Sequence, residues 1–192
     1  MDIKSFFGVL SVILSIVAVF PYIWSVIKGT THPHIFSWTL YALMNLSGYL
    51  IQISNGAGAG AWNQLFSVFA NLVIVVFALK YKMSKIRTFD SVLFVLVLTT
   101  LILWFYTEST VFVVIQGFLI IGASLPTIRK ILQNDGLEDL SLYYVNIARH
   151  IAALFALSVF ALDSLLIIFA WFIVNFSVVI SSKMAESKTD NL

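Results

Sequence analysis

The hydrophobic positions of this chain fall into long uncharged runs that short polar segments separate. No acidic or basic residue occurs at positions 5–27 or 35–79. A helix needs about 17–25 mostly apolar residues to cross the hydrocarbon of a bilayer, so the second run is too long for one crossing. The Gly-Ala-Gly-Ala-Gly sequence inside that run is typical of a turn. The pattern therefore predicts seven membrane-spanning helices, at residues 6–26, 35–53, 61–79, 91–106, 110–128, 140–162 and 164–182.

The composition places these runs in lipid. Hydrophobic residues make up 60% of the chain and charged residues 10%, whereas soluble chains carry about 25% charged residues. A soluble fold of this size would lack the polar surface to cover its apolar residues. The absence of cysteine excludes disulfides and thiolate metal sites, and the net charge of +2 argues against nucleic-acid binding. We therefore predict an all-α integral membrane protein.

Basic residues in the predicted loops indicate the orientation of the bundle, because basic loops stay in the cytoplasm. One side of the predicted bundle has Lys4 as its only basic residue, whereas the other side has nine. We therefore expect the N-terminus outside and the C-terminus in the cytoplasm. The short termini without cysteine favour a prokaryotic plasma membrane. The nine basic residues are Lys28, Lys80, Lys82, Lys85, Arg87, Arg129, Lys130, Lys183 and Lys188.

The first three spans and the last three spans repeat each other. Pro21 lies near the cytoplasmic end of the first span, and Pro126 has the same relative place in the fifth span, 105 residues later. A shift of 105 residues places Trp38, Tyr41 and Asn45 on Tyr143, Asn146 and His150. When the shift is changed by one residue, Ser67 and Asn71 also fall on Trp171 and Asn175.

An odd number of spans in each repeat requires a linker. Three spans reverse the direction of the chain, so a fourth span returns the second triplet to the orientation of the first. We therefore predict two parallel three-helix bundles that a linker helix joins. The predicted parts are a first bundle at 1–82, a linker at 83–109, a second bundle at 110–184 and a polar cytoplasmic tail at 185–192.

The proline segments and the loops after them resemble a known family. Residues 125–130 (Leu-Pro-Thr-Ile-Arg-Lys) and 136–141 (Gly-Leu-Glu-Asp-Leu-Ser) are similar to the PQ-loop superfamily of membrane transporters, which includes the SWEET sugar facilitators. Residues 20–22 and 28–31 are a looser version, and the resemblance covers about residues 8–183. It implies seven helices in a 3+1+3 arrangement, transport by alternating access, and pocket asparagines at Asn71 and Asn175.

Four polar residues fall at about the same predicted depth, roughly 15–18 Å from one end of their spans. Polar side chains there must face one another or a watery cavity. Two explanations remain: the amides line a central substrate cavity, or they only tie helices together. The four residues are Asn45, Asn71, His150 and Asn175, and Trp38, Tyr41, Asn146 and Trp171 lie on the same predicted faces.

Arg149 and His150 are neighbours whose side chains point about 100° apart on a helix. The repeat places His150 in the cavity opposite Asn45, as a proton site or as a neutral hydrogen-bonding residue. Arg149 stays charged, and no carboxylate lies at its predicted depth. Its partner is expected to be either the carbonyl of Gly122, to which Pro126 cannot donate, or an anionic substrate.

The two prolines are the candidate hinges. Pro21 and Pro126 each weaken one backbone hydrogen bond, so each either allows its helix to bend during transport or forms a static kink. His32 and His34 lack the further ligand that a metal site needs, and no metal or other cofactor is expected.

These observations favour a transporter over an enzyme. The chain lacks the common catalytic and phosphate-binding motifs. We expect it to move a small polar, sugar-like solute by alternating access through a pocket in the membrane midplane. The alternatives are a proton-coupled amino-acid or nicotinamide-riboside-type transporter of the same fold, and a sorting receptor that binds its ligand without transport. The expected partners are the solute and the bilayer, with a homo-oligomer left open.

Overall fold

A computed structural model describes residues 2–29, 35–79, 88–132 and 140–189, and within these ranges the chain is helical without any strand. The all-α prediction is therefore confirmed for the described residues. The elements are α1 (Ile3–Lys28), α2 (Ile35–Ser54), a 3-10 helix (Gly58–Ala61), α3 (Trp62–Ala78), α4 (Thr88–Thr107), α5 (Thr110–Gly122), α6 (Leu125–Leu132), α7 (Leu140–Ala156) and α8 (Leu162–Thr189).

Three of these segments are long and apolar enough to cross a membrane. They are Ile3–Lys28, Gly58–Ala78 and Leu162–Ala185, and Ser91–Thr107 and Thr110–Gly122 are shorter apolar helices. Large apolar side chains also cover much of the outer surface. Phe69, Val76 and Phe118 are each at least 60% exposed, as expected of side chains that contact lipid.

Both ends of α1 carry local signals that explain its length. At the start, the Asp2 side chain accepts a hydrogen bond of 2.7 Å from the Ser5 backbone N–H, which satisfies one of the free donors of the first turn. Hydrogen bonds from Ser5 also hold the pKa of the Asp2 carboxyl below its usual value. At the end, Gly29 adopts a left-handed conformation with φ 78°. Between these caps α1 continues unbroken through Pro21.

The fifth predicted span is broken, which corrects the expectation of one helix at 110–128. Helix α5 ends at Gly122, and α6 begins at Leu125. Pro126 is the second residue of α6, in the first turn, where a missing N–H costs no hydrogen bond. Proline therefore starts a new helix here instead of bending a continuous one.

The sixth and seventh spans also differ from their predicted bounds. Helix α7 ends at Ala156, six residues before the predicted end at 162, and α8 begins at Leu162 and continues to Thr189, beyond the predicted 182. The chain between them is not helical because it pairs with another loop. The backbone N–H of Ser158 donates to the carbonyl of Ala57 at 3.0 Å.

The helices of each triplet share one packing order. In the first triplet α3 packs against both α1 and α2, and in the second triplet α8 packs against both α5 and α7. The two triplets meet most extensively where α1 packs against α7. Helix α4 packs against α5 and α2, so it lies beside both triplets.

Several helix ends lie together at one end of the bundle, which we call the Lys4 end. The Lys4 ammonium donates to the carbonyl of Leu157, and Ser158 bonds to Ala57 as described. The start of α1, the end of α2, the end of α7 and the start of α8 therefore meet there. The short connection from α2 through the 3-10 helix places the start of α3 at the same end.

A buried hydrogen-bond chain joins α5 to α2 and α4, and the packing of α5 along α8 gives its direction. The Gln116 amide donates from Nε2 to Ser47 Oγ on α2 at 2.7 Å and accepts from Thr100 Oγ1 on α4 at 2.9 Å. An ideal Cβ atom on Gly117 of α5 would lie 3.7 Å from the Cβ atom of Ala170 on α8, and Ile131 of α6 packs in one cluster with Val178 and Ala185, farther along α8. Helix α5 therefore runs in the direction of α8 and also begins at the Lys4 end.

Small residues let α1 approach its neighbours closely. Gly8, Ser11, Ser15 and Ala18 recur at intervals of three or four residues on one face of α1 and are buried. A Cβ atom on Gly8 would lie only 2.7 Å from the Cβ atom of Ala59. Close backbone approach through small residues is the usual way in which helices pack in lipid.

Candidate functional site

A chain of aromatic rings joins the two triplets at the centre of the bundle. The ring centroids of Tyr22 and Trp38 are 4.8 Å apart, and those of Trp38 and Tyr41 are 5.8 Å apart. Tyr41 on α2 then lies 6.3 Å from Trp171 on α8, and Trp171 stacks on His150 at 6.5 Å with 5° between the ring planes. The structure thus brings together the predicted site residues Trp38, Tyr41, Trp171 and His150.

Three buried polar atoms beside these rings have no hydrogen-bond partner. They are Oδ1 of Asn45, Nε2 of His150 and Nε1 of Trp171, on side chains that are only 3%, 1% and 8% exposed. An unpaired buried polar atom costs about 1–3 kcal/mol, and most such atoms in native proteins have partners. Asn45 Oδ1 can accept a hydrogen bond and Trp171 Nε1 can donate one, and His150 Nε2 also donates when its Nδ1 accepts from Asn63 Nδ2. The arrangement therefore suits a ligand that carries hydroxyl or amide groups.

The neighbouring contacts of these residues hold them in place. The Asn45 amide donates from Nδ2 to the Tyr41 carbonyl at 2.8 Å, which leaves only its oxygen free. His150 Nδ1 lies 3.5 Å from Nδ2 of Asn63 on α3. Three helices therefore orient the imidazole: α7 carries it, α3 contacts one edge, and Trp171 of α8 covers one face.

Further buried amides extend from this site toward the Lys4 end. Gln52 and Gln64 are at most 1% exposed, and neither amide atom of either residue has a partner. A Cβ atom on Gly48, which lies between Asn45 and Gln52 on α2, would be 3.4 Å from Nε2 of Gln64. Asn63 and Gln64 are buried polar residues that the sequence did not identify as site residues. Both lie near the start of the third predicted span, where the sequence alone does not show whether a side chain is buried.

Arg149 lies at the junction of α1, α3 and α7. Its Nη1 donates to Ser67 Oγ at 2.7 Å and to Ser15 Oγ at 3.3 Å. The two hydroxyls donate their own protons to helix carbonyls, Ser15 to Ser11 and Ser67 to Asn63, so both oxygens are free to accept from the guanidinium. Nε of Arg149 is buried without a partner.

The expected bond from Arg149 to the Gly122 carbonyl is not present. Helix α7, which carries Arg149, packs against α1, α3, α8 and the 3-10 helix, whereas α5, which carries Gly122, packs against α8, α4 and α2. Equal depth along two helices does not make them neighbours, which is why the sequence suggested the wrong partner.

The sequence predicted one common depth for the polar residues, and the structure places them at different depths. His150 contacts Asn63, whereas Asn71 is eight residues farther along α3, about 12 Å along the helix axis. The reason is the early end of α7 at Ala156, which brings His150 nearer to the Lys4 end. Asn175 is 3% exposed and donates to the Trp171 carbonyl at 2.7 Å.

The remaining predicted residues differ in their burial and in their backbone setting. Asn71 is 7% exposed, and Asn146 is half-buried on α7. Pro21 lies inside α1, whereas Pro126 lies in the first turn of α6, so the two prolines occupy different backbone settings. His32 and His34, and the whole basic loop at 80–87, lie outside the described residues. Among the residues that the structure does describe, no group of three or more histidine or acidic side chains could hold a metal ion.

Comparison with protein-family models, with curated proteins and with solved structures finds no match to this chain. The interpretation of the site therefore depends on its own residues and on the sequence resemblance.

Proposed function

We propose that the chain is a membrane transporter that moves a small polar solute by alternating access between its two triplets. The observation that carries this proposal is the set of unpaired buried atoms on Asn45, His150 and Trp171. Asn45 belongs to the first triplet, and His150 and Trp171 belong to the second. A solute that satisfies these atoms would contact both triplets at once, so movement of one triplet against the other would change its access.

The packing order of the helices supports a SWEET-like, seven-helix arrangement for this transporter. The third helix of each triplet packs against the other two, and the first helices, α1 and α5, both begin at the Lys4 end. Parallel repeats of this kind rock around a fixed central site in transporters. In the proposed arrangement α4 is the linker helix, and α5 together with α6 forms the first span of the second triplet.

The described conformation corresponds in this proposal to an occluded state, because the three site residues are almost completely buried. The break between α5 and α6 provides one hinge, since residues 123 and 124 are not helical. Pro21 provides the second hinge, because its missing N–H weakens one hydrogen bond of α1. The α1–α7 contact at the Lys4 end must open to admit the solute from that side.

Each site residue has a proposed role in binding. Trp171 and Tyr41 stack on the apolar face of the solute and Trp38 extends that aromatic surface, while Trp171 Nε1 and Asn45 Oδ1 bind its polar groups. His150 contributes Nε2. Asn71, Asn146 and Asn175 line the part of the path that the solute reaches on the side away from Lys4.

One observation favours a second candidate, a proton-coupled transporter of amino acids or of a nicotinamide-riboside-like solute. His150 is a titratable residue at the centre of the site with one ring nitrogen unpaired. An inward proton gradient accelerates uptake if His150 carries the coupled proton, and His150→Asn removes that acceleration. Uptake that is indifferent to the gradient supports facilitated transport instead.

The experiment that tests the proposal combines binding with flux. Purified protein is screened by thermal shift against sugars, amino acids and vitamins, because a ligand at 100 times its dissociation constant stabilises the folded state by about 2.7 kcal/mol. Uptake of each hit is then measured in liposomes. Binding that Asn45→Leu and Trp171→Phe both abolish, together with uptake that Asn71→Ala and Asn175→Ala both abolish, supports the proposal. Binding without uptake would identify a sorting receptor and contradict it.

A further inference from the structure

The guanidinium of Arg149 is only partly used by the protein. Both of its described hydrogen bonds leave from Nη1, to Ser67 and to Ser15. Nε is buried and unpaired. Nε and Nη2 form the edge of a guanidinium that presents two parallel N–H groups, and that fork matches the two oxygens of a carboxylate or phosphate.

Arg149 has no carboxylate partner among the side chains that the structure describes. Asp2 accepts from Ser5 at the start of α1, Glu108 is exposed in the turn before α5, and Asp163 is in the first turn of α8. Arginine stays protonated, and the half-buried charge of Arg149 is costly inside a membrane unless partners face it. Two neutral hydroxyls position this guanidinium but do not neutralise it.

Arg149 lies directly beside the candidate site. It contacts Ser67 on α3, and His150 contacts Asn63 on the same helix. Asn63 and Ser67 are four residues apart, about 6 Å along the helix axis. These contacts place the imidazole and the guanidinium about one helical turn apart along α3.

We infer that the solute carries an oxyanion, a carboxylate or a phosphate, which the Nε–Nη2 edge of Arg149 binds in a bidentate manner. This inference rests on the proposed transport function and specifies its substrate class. Ser15 and Ser67 hold Nη1 so that the fork stays oriented, and the anion supplies the missing negative charge. The uncharged groups of the solute then meet Asn45 and Trp171.

The test uses matched pairs of probes, in which one member carries an oxyanion and the other is neutral. The purified full-length chain is titrated with nicotinate and nicotinamide, lactate and lactamide, and glucose 6-phosphate and glucose. We expect at least one anionic member to raise the melting temperature of the wild type while its neutral partner at the same concentration does not. The carboxylate and phosphate pairs distinguish the two oxyanions.

Two variants separate the fork from the charge. Arg149→Lys keeps the positive charge but loses the two parallel N–H groups, so we expect the dissociation constant of the preferred anion to rise at least tenfold. Ser11→Ala keeps the guanidinium and its two serine partners, because the Ser11 hydroxyl donates to the Gly8 carbonyl on its own helix, and it serves as the control, with a rise of less than threefold. If Arg149→Lys does not fold, the discrimination of the wild type between the members of each pair decides the question.

The results that would overturn this inference differ from the results that would overturn the transport proposal. Neutral probes that bind as tightly as their anionic partners, anion binding that Arg149→Lys leaves unchanged, or no stabilisation by any anionic probe would overturn the inference. Uptake of a neutral probe that depends on Asn45 would leave the transport function standing. Anion binding that depends on Arg149 but gives no flux in liposomes would sustain the inference and overturn the transport function.

Discussion

The imidazole of His150 on α7 lies parallel to the indole of Trp171 on α8, with the ring centroids 6.5 Å apart and 5° between the planes. Tyr41 of the first triplet approaches the same indole at 6.3 Å and 68°. Trp171 is therefore one of the residues at which side chains of the two triplets meet, and its own N–H has no partner. A change in the relation of the triplets must alter this contact, which makes Trp171 the centre of the proposed transport site.

The Arg149 anchor gives the first prediction. Ser67→Ala removes the 2.7 Å bond to a charged donor, so we expect a loss of about 1.5–3 kcal/mol in the free energy of unfolding. Ser15→Ala removes the longer 3.3 Å bond and should have a smaller effect. Ser11→Ala is the matched control, because Ser11 is buried one turn away on α1 and its hydroxyl bonds only to the carbonyl of Gly8.

Thermal unfolding in detergent measures these three variants. The expected order of melting temperatures is wild type and Ser11→Ala highest, then Ser15→Ala, then Ser67→Ala. Equal melting temperatures for Ser11→Ala and Ser67→Ala would show that Arg149 does not anchor α7 to α3.

The Gln116 chain gives the second prediction. Gln116→Leu removes two interhelical bonds, to Ser47 and from Thr100, and such bonds in membrane proteins contribute about 0.6 kcal/mol each on average. Both hydroxyls keep bonds to their own helices, Ser47 to Met44 and Thr100 to Leu96. We therefore expect a loss of about 1–2 kcal/mol in stability, measured by thermal unfolding, with uptake retained in the folded fraction. An unchanged melting temperature would count against a structural role for Gln116.

Two glycines of different surroundings give the third prediction. A Cβ atom on Gly8 would lie 2.7 Å from Cβ and 3.0 Å from the carbonyl oxygen of Ala59, neither of which can rotate away. Gly8→Ala should therefore destabilise the fold by about 1–3 kcal/mol. A Cβ atom on Gly122 meets no atom within 4 Å, so Gly122→Ala should be neutral or stabilise by up to about 1 kcal/mol through its helix propensity.

Melting temperatures of the two glycine variants decide this prediction. A tolerated Gly8→Ala variant would mean that α1 does not lie as close to the 3-10 helix as its contacts with Ala59 indicate.

Orientation in the membrane gives the fourth prediction. The chain has no cysteine, so Ser158→Cys and Lys183→Cys each create a single thiol at an exposed position. The excess of basic residues near Lys183 predicts that this end lies in the cytoplasm. A membrane-impermeant thiol reagent added to intact cells should label Ser158→Cys and leave Lys183→Cys unlabelled. The reverse pattern would invert the predicted orientation.

The sequence predicted the helical runs well because their apolar character is a local property. The bounds of α1, α2 and α4 differ by only a few residues from the predicted spans. The early end of α7 was not predictable, because it depends on the bond between Ser158 and Ala57, which are far apart in the sequence. The break before Pro126 was ambiguous, since a proline is compatible both with a kinked helix and with the first turn of a new one.

The candidate site shows the same division between local features, which the sequence indicates, and long-range contacts, which it does not. The spacing of Trp38, Tyr41 and Asn45 identified one face of α2, and the internal repeat pointed to Trp171. The partners of Arg149 could not be predicted, because they depend on which helices become neighbours. Serines on α1 and α3 reach Arg149 only because α7 packs against α1.

The most direct test of the central claim is solute counterflow in liposomes for Asn45→Leu and Trp171→Phe beside Gln116→Leu. The first two variants remove the unpaired atoms Oδ1 and Nε1 while they keep side chains of similar size, whereas Gln116 has partners for both amide atoms. We predict that Asn45→Leu and Trp171→Phe each lower counterflow at least tenfold and remain folded, and that Gln116→Leu retains it. Wild-type counterflow in both site variants would contradict the account.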